Sequence, residues 1–233
     1  MKLQFLMTLF LLASIVQASV PEEKLVPVDH LYVPAGFDTN DNSEIVITGF
    51  LPNLCHKSPS SVVKRTGKKI NIEVSSLYYH ESNPFCPEMV VPFVETVKLG
   101  LLDKGNYEIT VNGKSPWELN EKIAISESTS ASVDDHHYAY VSYVDKETAS
   151  GEVVLRGYNP SDCFELDRIE YLSNKKDALS VMPIMKQVRG FCPMKMVPFS
   201  YKWRVPTELS ARKVLLHVRT MDGTSVNSVF YHQ

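Results

Sequence analysis

Two short stretches carry side chains of the kinds that hold metal ions. Asp38-Thr39-Asn40-Asp41-Asn42-Ser43-Glu44 is rich in oxygen, and calcium takes about six to eight hard oxygen ligands. Asp38, Asn40 and Asn42 are the candidate ligands. An EF-hand is excluded, because Ser43 stands where its glycine belongs and Gly49 where its last glutamate belongs. Asp and Asn are also the residues of tight turns. The matching run later in the chain, Asp145 to Gly151, keeps turn-forming residues and loses the oxygen cluster, so a turn is the simpler reading. Asp134-Asp135-His136-His137 offers carboxylate and imidazole to zinc or copper, with Asp134 and His136 as candidate ligands. Neighbours on a strand point to opposite faces, so one His and one Asp at most converge there without help from elsewhere. Met194 and Met196 beside Cys192 are soft copper ligands by type, but an oxidised Cys192 leaves no thiolate, and methionines commonly fill cores.

Catalytic patterns are missing. There is no G-x-S-x-G elbow, no H-E-x-x-H and no glycine loop of the phosphate-cradling kind. A Cys/His nucleophile pair needs a free thiolate, and the cysteine count leaves none over. The expectation is a non-enzymatic protein without a cofactor.

The cysteines belong to a motif pair written twice. Gly49-Phe50-Leu51-Pro52-Asn53-Leu54-Cys55 returns as Gly157-Tyr158-Asn159-Pro160-Ser161-Asp162-Cys163, both G-[FY]-x-P-x-x-C. Phe85-Cys86-Pro87-Glu88-Met89-Val90-Val91-Pro92-Phe93 returns as Phe191-Cys192-Pro193-Met194-Lys195-Met196-Val197-Pro198-Phe199. Two motifs recurring in one order signal a duplicated unit. Four cysteines permit three pairings, and duplication selects Cys55 with Cys86 and Cys163 with Cys192, since each unit must once have closed alone. A loop near 30 residues adds roughly 3–4 kcal/mol in the chain-entropy picture.

The compartment follows from the first residues. Lys2 precedes an apolar run from Leu3 to Val16, and Val16-Gln17-Ala18 suits cleavage after Ala18, the build of a secretory signal peptide. The run is about 14 residues, short of the roughly 20 a spanning helix needs, so no membrane span is expected. Export makes disulfides the natural use of four cysteines. With net charge −3 and no basic stripe, nothing points to nucleic acid or an anionic membrane.

The elements that would carry these residues read as strands. Glu44 to Leu51 is β-branched and mostly apolar, and Lys69 to Val74, Phe93 to Leu99 and Phe199 to Val205 alternate with period two. Asn112-Gly113 suits a two-residue hairpin turn. His137 to Asp145 parallels His30 to Asp38, which aligns His137 with His30. Asp177 to Val188 is the nearest approach to a helical period, broken by Pro183. The expected architecture is all-β: two tandem immunoglobulin-like β-sandwich domains, each with one internal disulfide tying loops or strand ends at an edge. The expected bounds are a signal peptide at 1–18, a loose N-terminal lead-in at 19–28, sandwich one at 29–125, a Ser-rich linker at 126–133 and sandwich two at 134–233.

Residues 29 to 113 resemble a class of uncharacterised exported bacterial proteins with disulfide-bonded immunoglobulin-like repeats. The resemblance rests on Pro34-Ala35-Gly36-Phe37-Asp38, Gly49-x-x-Pro52-Asn53-x-Cys55, Cys86, Val91-Pro92-Phe93 and Leu99-Gly100-x-Leu102-x-x-Gly105-x-Tyr107. A degraded version covers 136 to 223. The likeness implies export and fold, and no chemistry.

The function expected from these residues is a periplasmic or secreted binding or structural module of the cell envelope, with an unknown protein or envelope ligand as partner. Asn53 to Arg65 and Lys186 to Gly190 are its expected loop surfaces, and Tyr78 to His80 and Tyr138 to Tyr143 its aromatics. An envelope protein binding calcium, zinc or copper is one alternative. A peptidase inhibitor presenting a proline-flanked, disulfide-braced loop is another.

Overall fold

The computed structural model describes residues 20–79, 85–147, 151–206, 209 and 211–231; the expected signal peptide and His80 lie outside them. Fifteen strands account for nearly all the regular structure among these residues. In the first half they are β1 (Glu22–Leu25), β2 (Val28–Tyr32), β3 (Ser43–Leu51), β4 (His56–Thr66), β5 (Lys69–Tyr78), β6 (Val91–Gly100), β7 (Gly105–Val111) and β8 (Leu119–Ile125). The second half has β9 (Val141–Glu147), β10 (Glu152–Asn159), β11 (Phe164–Ser173), β12 (Ala178–Gln187), β13 (Val197–Arg204), β14 (Lys213–Thr220) and β15 (Thr224–Tyr231).

Each half is a two-sheet sandwich. In the first, β2-β3-β6 faces a sheet ordered β1-β5-β7-β8, with β4 also on β5. In the second, β9-β10-β13 faces β11-β12-β14-β15. One pairing in each is parallel, β5 with β7 and β12 with β14, so the two halves share one topology. Alternating residues supply the two inner faces: Ile45, Ile47, Ile70, Ile72, Ile109 and Ile123 fill one core, and Val153, Leu155, Leu179, Val181, Leu216 and Val218 the other.

The two written motifs meet in space. A Cβ on Gly49 would stand 2.3 Å from the Pro27 carbonyl oxygen and 2.7 Å from the Phe93 ring. On Gly157 it would stand 1.9 Å from the Tyr140 carbonyl oxygen and 2.9 Å from the Phe199 ring. The glycine is required because the first strand and the second motif's phenylalanine close over it. The bridges Cys55–Cys86 and Cys163–Cys192 span Cα distances of 5.4 Å and tie the corner after β3 or β10 to the segment entering β6 or β13, outside the apolar clusters.

Several expectations change. Of the expected lead-in at 19–28, the described residues 20–28 are not loose: β1 pairs with β5, and Val26 and Val28 are core residues. Pro27 and Tyr140 play one role, so His30 corresponds to Tyr143 rather than His137; Val28 and Val141 oppose Gly49 and Gly157 alike. Asp177 to Val188 is strand β12 for most of its length. Pro183 fits because its nitrogen shares the strand edge on which its carbonyl takes the Ala139 N–H, the edge facing away from β11. Asn53 to Arg65 is largely β4, an edge strand. Asn112-Gly113 does not make a two-residue turn. Asn112 is buried, its Nδ2 donating to Val26 O at 3.0 Å and its Oδ1 accepting from Val74 N at 2.7 Å, and the hairpin closes only at Leu119.

Candidate functional site

The halves meet through sheet faces that a lone sandwich would show to water. From β2 and β3 come Tyr32 and Val46; from β12 and β14 come Ala178 and Leu215, and these four form a small buried cluster with Val229 against it. Around that cluster runs a polar frame. His30 Nε2 lies 2.7 Å from Asp177 Oδ2, Ser180 Oγ donates to Ala35 O at 2.6 Å and Asn174 Nδ2 donates to Val33 O at 3.1 Å. On the opposite side Glu44 Oε1 accepts from Ser225 Oγ and, at 2.7 Å, from Asn227 Nδ2, with His217 Nδ1 at 3.3 Å. Arg219 donates to Asp41 Oδ2 and lies 5.3 Å over the Phe37 ring.

The electrostatics follow from burial. Burial opposes ionisation of Glu44, but hydrogen bonds from His217, Ser225 and Asn227 outweigh it and hold the carboxyl below its ordinary range. Burial likewise opposes ionisation of Asp177, and hydrogen bonds from His30 and Asn174 reverse the balance. Burial pushes the Tyr32 hydroxyl up, with Asp177 and Asp29 adding to it.

The two candidate metal stretches converge here, on an arginine. Asp41, Asn42, Glu44 and Asp134 line one small cavity with His217 and Arg219. Asp38 is a turn residue: its Oδ1 accepts from Asn40 N at 2.8 Å, and its own N–H goes to Asp41 Oδ2 at 2.9 Å. Asn40 reaches the connecting segment, donating to Ser130 O and Ser132 O. Asn42 is exposed and sits beside the site of Gly223. Asp134 accepts from Gly223 N at 3.1 Å. His136 is exposed, its ring 6.4 Å from that of Tyr138. Among the described residues no three His, Cys, Asp or Glu side chains come together as a metal set. The stretch at 38–44 therefore holds two sandwiches together, a role visible only once Arg219 and His217 are placed opposite it.

The disulfide-bearing segments are the second feature. Residues 85–90 and 188–196 belong to no strand. They display large apolar side chains: Phe85 is 77 % exposed, Phe191 83 % and Met194 98 %, with Met89, Val90 and Met196 also exposed. The strands β3 and β14 run oppositely across the interface, since Glu44 meets His217 while Thr48 meets Lys213, so the two braced segments lie at opposite ends of the molecule. A third feature is a cleft of about 510 Å³ beside Pro160 and the connecting segment.

A family model described as the ORF11 beta-sandwich domain matches residues 45–119, from β3 to the start of β8. The chain is similar to that domain over the first sandwich. No curated protein and no solved structure matches. No helix among the described residues is long and apolar enough to cross a membrane.

Proposed function

We propose that the protein is an exported, non-enzymatic module of the cell envelope, periplasmic or secreted, which binds an envelope protein through its disulfide-braced apolar segments. One observation carries this reading. Phe85 and Phe191 occupy one position of the duplicated motif, and both stand in solvent on a backbone held by a bridge. Ordering a segment in advance lowers the entropy cost of binding, and contiguous exposed apolar groups mark interaction sites. The disulfides and the apolar run at 3–16 support export.

A photo-crosslinking residue in place of Phe191, in the native cell, tests it. A discrete adduct in the envelope fraction, lost when Met194 and Met196 become Ser, is expected. Cytoplasmic protein with four reduced thiols would overturn export, and absence of any adduct from both Phe85 and Phe191 would overturn the binding role. A peptidase inhibitor is a second reading, favoured by the proline-flanked cysteines Cys86-Pro87 and Cys192-Pro193 at the bridges; cleavage or blockade of a peptidase panel separates the two.

A further inference from the structure

The disulfide-braced segments carry sulfur of two kinds. Cys55, Cys86, Cys163 and Cys192 are all joined in bridges, and no free cysteine is present among the described residues. Thiol chemistry is therefore closed, and thioether sulfur is left. Six methionines lie among the described residues, and three of them, Met89, Met194 and Met196, stand on the braced segments. Met194 is 98 % exposed, Met196 64 % and Met89 57 %. The other three are covered: Met185 on β12 is 6 % exposed, and Met182 and Met221 are half-buried.

Access decides how fast a thioether is oxidised, because its sulfur has no proton to lose before it reacts. The exposed methionines should therefore react first. The product matters more than the rate: a sulfoxide turns a flexible apolar side chain into a polar one, here on a surface that also displays Val188 and Phe191. The two segments are unequally equipped. Met194 and Met196 stand where the first motif has Glu88 and Val90, and Met89 stands where the second has Lys195. The second segment thus offers two exposed sulfurs and the first offers one.

We propose that Met194, Met196 and Met89 are sites of reversible oxidation by peroxides, and that their sulfoxides switch the braced segments from apolar to polar. The thioether sulfur attacks one peroxide oxygen. The S–O bond forms as the O–O bond breaks, the sulfur gives up two electrons, and the departing hydroxide takes the proton of the transferred hydroxyl and leaves as water. Methionine sulfoxide reductases return the thioether. Release of a bound envelope protein on oxidation rests on the binding role proposed above; the oxidation and the loss of apolar surface need no partner.

Hydrogen peroxide treatment of the whole protein, read by peptide mass mapping and hydrophobic-interaction chromatography, tests the assignment. Met194 and Met196 should take up oxygen at least about tenfold faster than Met185, with Met89 also ahead of it and both bridges intact. The oxidised protein should elute earlier, and Met194→Leu with Met196→Leu, which keeps apolar bulk without sulfur, should remove most of that change. In the cell, peroxide should lower the adduct from the Phe191 position by roughly threefold or more, and the adduct from the Phe85 position by less. Equal oxidation of Met185 and Met194, unchanged elution with Met194 and Met196 fully oxidised, or an adduct at Phe191 indifferent to peroxide would each overturn it. Absence of any adduct before peroxide overturns the binding role alone, and the map and the elution still decide the oxidation.

Discussion

The two sandwiches share a topology yet treat their outer faces oppositely. On β12 and β14, Ala178 pairs with Leu215 and both are buried against the first sandwich. The matching pair on β5 and β7 is Lys69 with Glu108, exposed to water. On β2, His30 bonds Asp177 across the interface, whereas its counterpart Tyr143 on β9 is exposed. The contact between sandwiches is therefore heterologous, of the kind that would propagate into filaments if every unit kept both surfaces. Charge on the outward face of the first unit stops that. Two sandwiches of one topology become one molecule by making one pair of faces adhesive and the other pair soluble.

That comparison can be broken experimentally, and the glycine shared by both copies should give the largest effect. Gly49→Ala and Gly157→Ala each drive a methyl into a carbonyl oxygen, and a loss of about 4 kcal/mol or more is expected from urea unfolding. Gly190→Ala, with nothing within 4 Å, should be neutral. Unequal losses at Gly49 and Gly157 would show that the copies have diverged at their most constrained contact.

Exchanging the faces comes next. Leu215→Glu installs the first unit's residue in the buried cluster, and about 3–5 kcal/mol should vanish from the interface, seen as two separate transitions in calorimetry. The reverse change, Glu108→Leu, should leave the fold intact and produce concentration-dependent self-association in sedimentation, because it offers a new apolar patch. Loss of either bridge by Cys→Ser should cost its own unit roughly 3–4 kcal/mol, read by limited proteolysis at each end of the molecule.

Smaller effects separate the polar frame from the free face. His30→Ala removes a donor from buried Asp177 and should cost about 1–3 kcal/mol, while Tyr143→Ala should stay within about 0.5 kcal/mol. Glu44 and Asp177 are held below their ordinary values when folded, so the unfolded chain takes up protons first as pH falls. Their contribution is present above the unfolded pKa and is lost as pH drops through the folded values. The urea midpoint should be flat near neutrality and decline below about pH 4, with a shallower acid limb in Asp177→Asn.

Much of the fold was legible because strands announce themselves by period. Lys69 to Val74 and Phe199 to Arg204 alternate in sequence and in burial. β1 was not legible: Val20-Pro21-Glu22-Glu23 looks like a solvated lead-in, and its pairing with β5 spans a separation no local pattern records. Pro183 misled for a similar reason, since a proline counts against a strand unless one knows which edge its nitrogen faces. The candidate site was half legible. The oxygen-rich run at 38–44 was conspicuous, but its partners Arg219 and His217 are ordinary strand residues whose significance lies in position alone. Asn159, buried where the first motif has Leu51, and Asp162, where it has Leu54, carried a signal that could have been read.

By itself the sequence determined a recurring motif pair, strands of period two and a pairing of cysteines within each half, because these are written in local order and repetition. Only the tertiary structure decided that the outer face of one sandwich would be interior and that of the other would meet water. The period of a strand tells which residues share a face, but what covers that face depends on a surface distant in the chain.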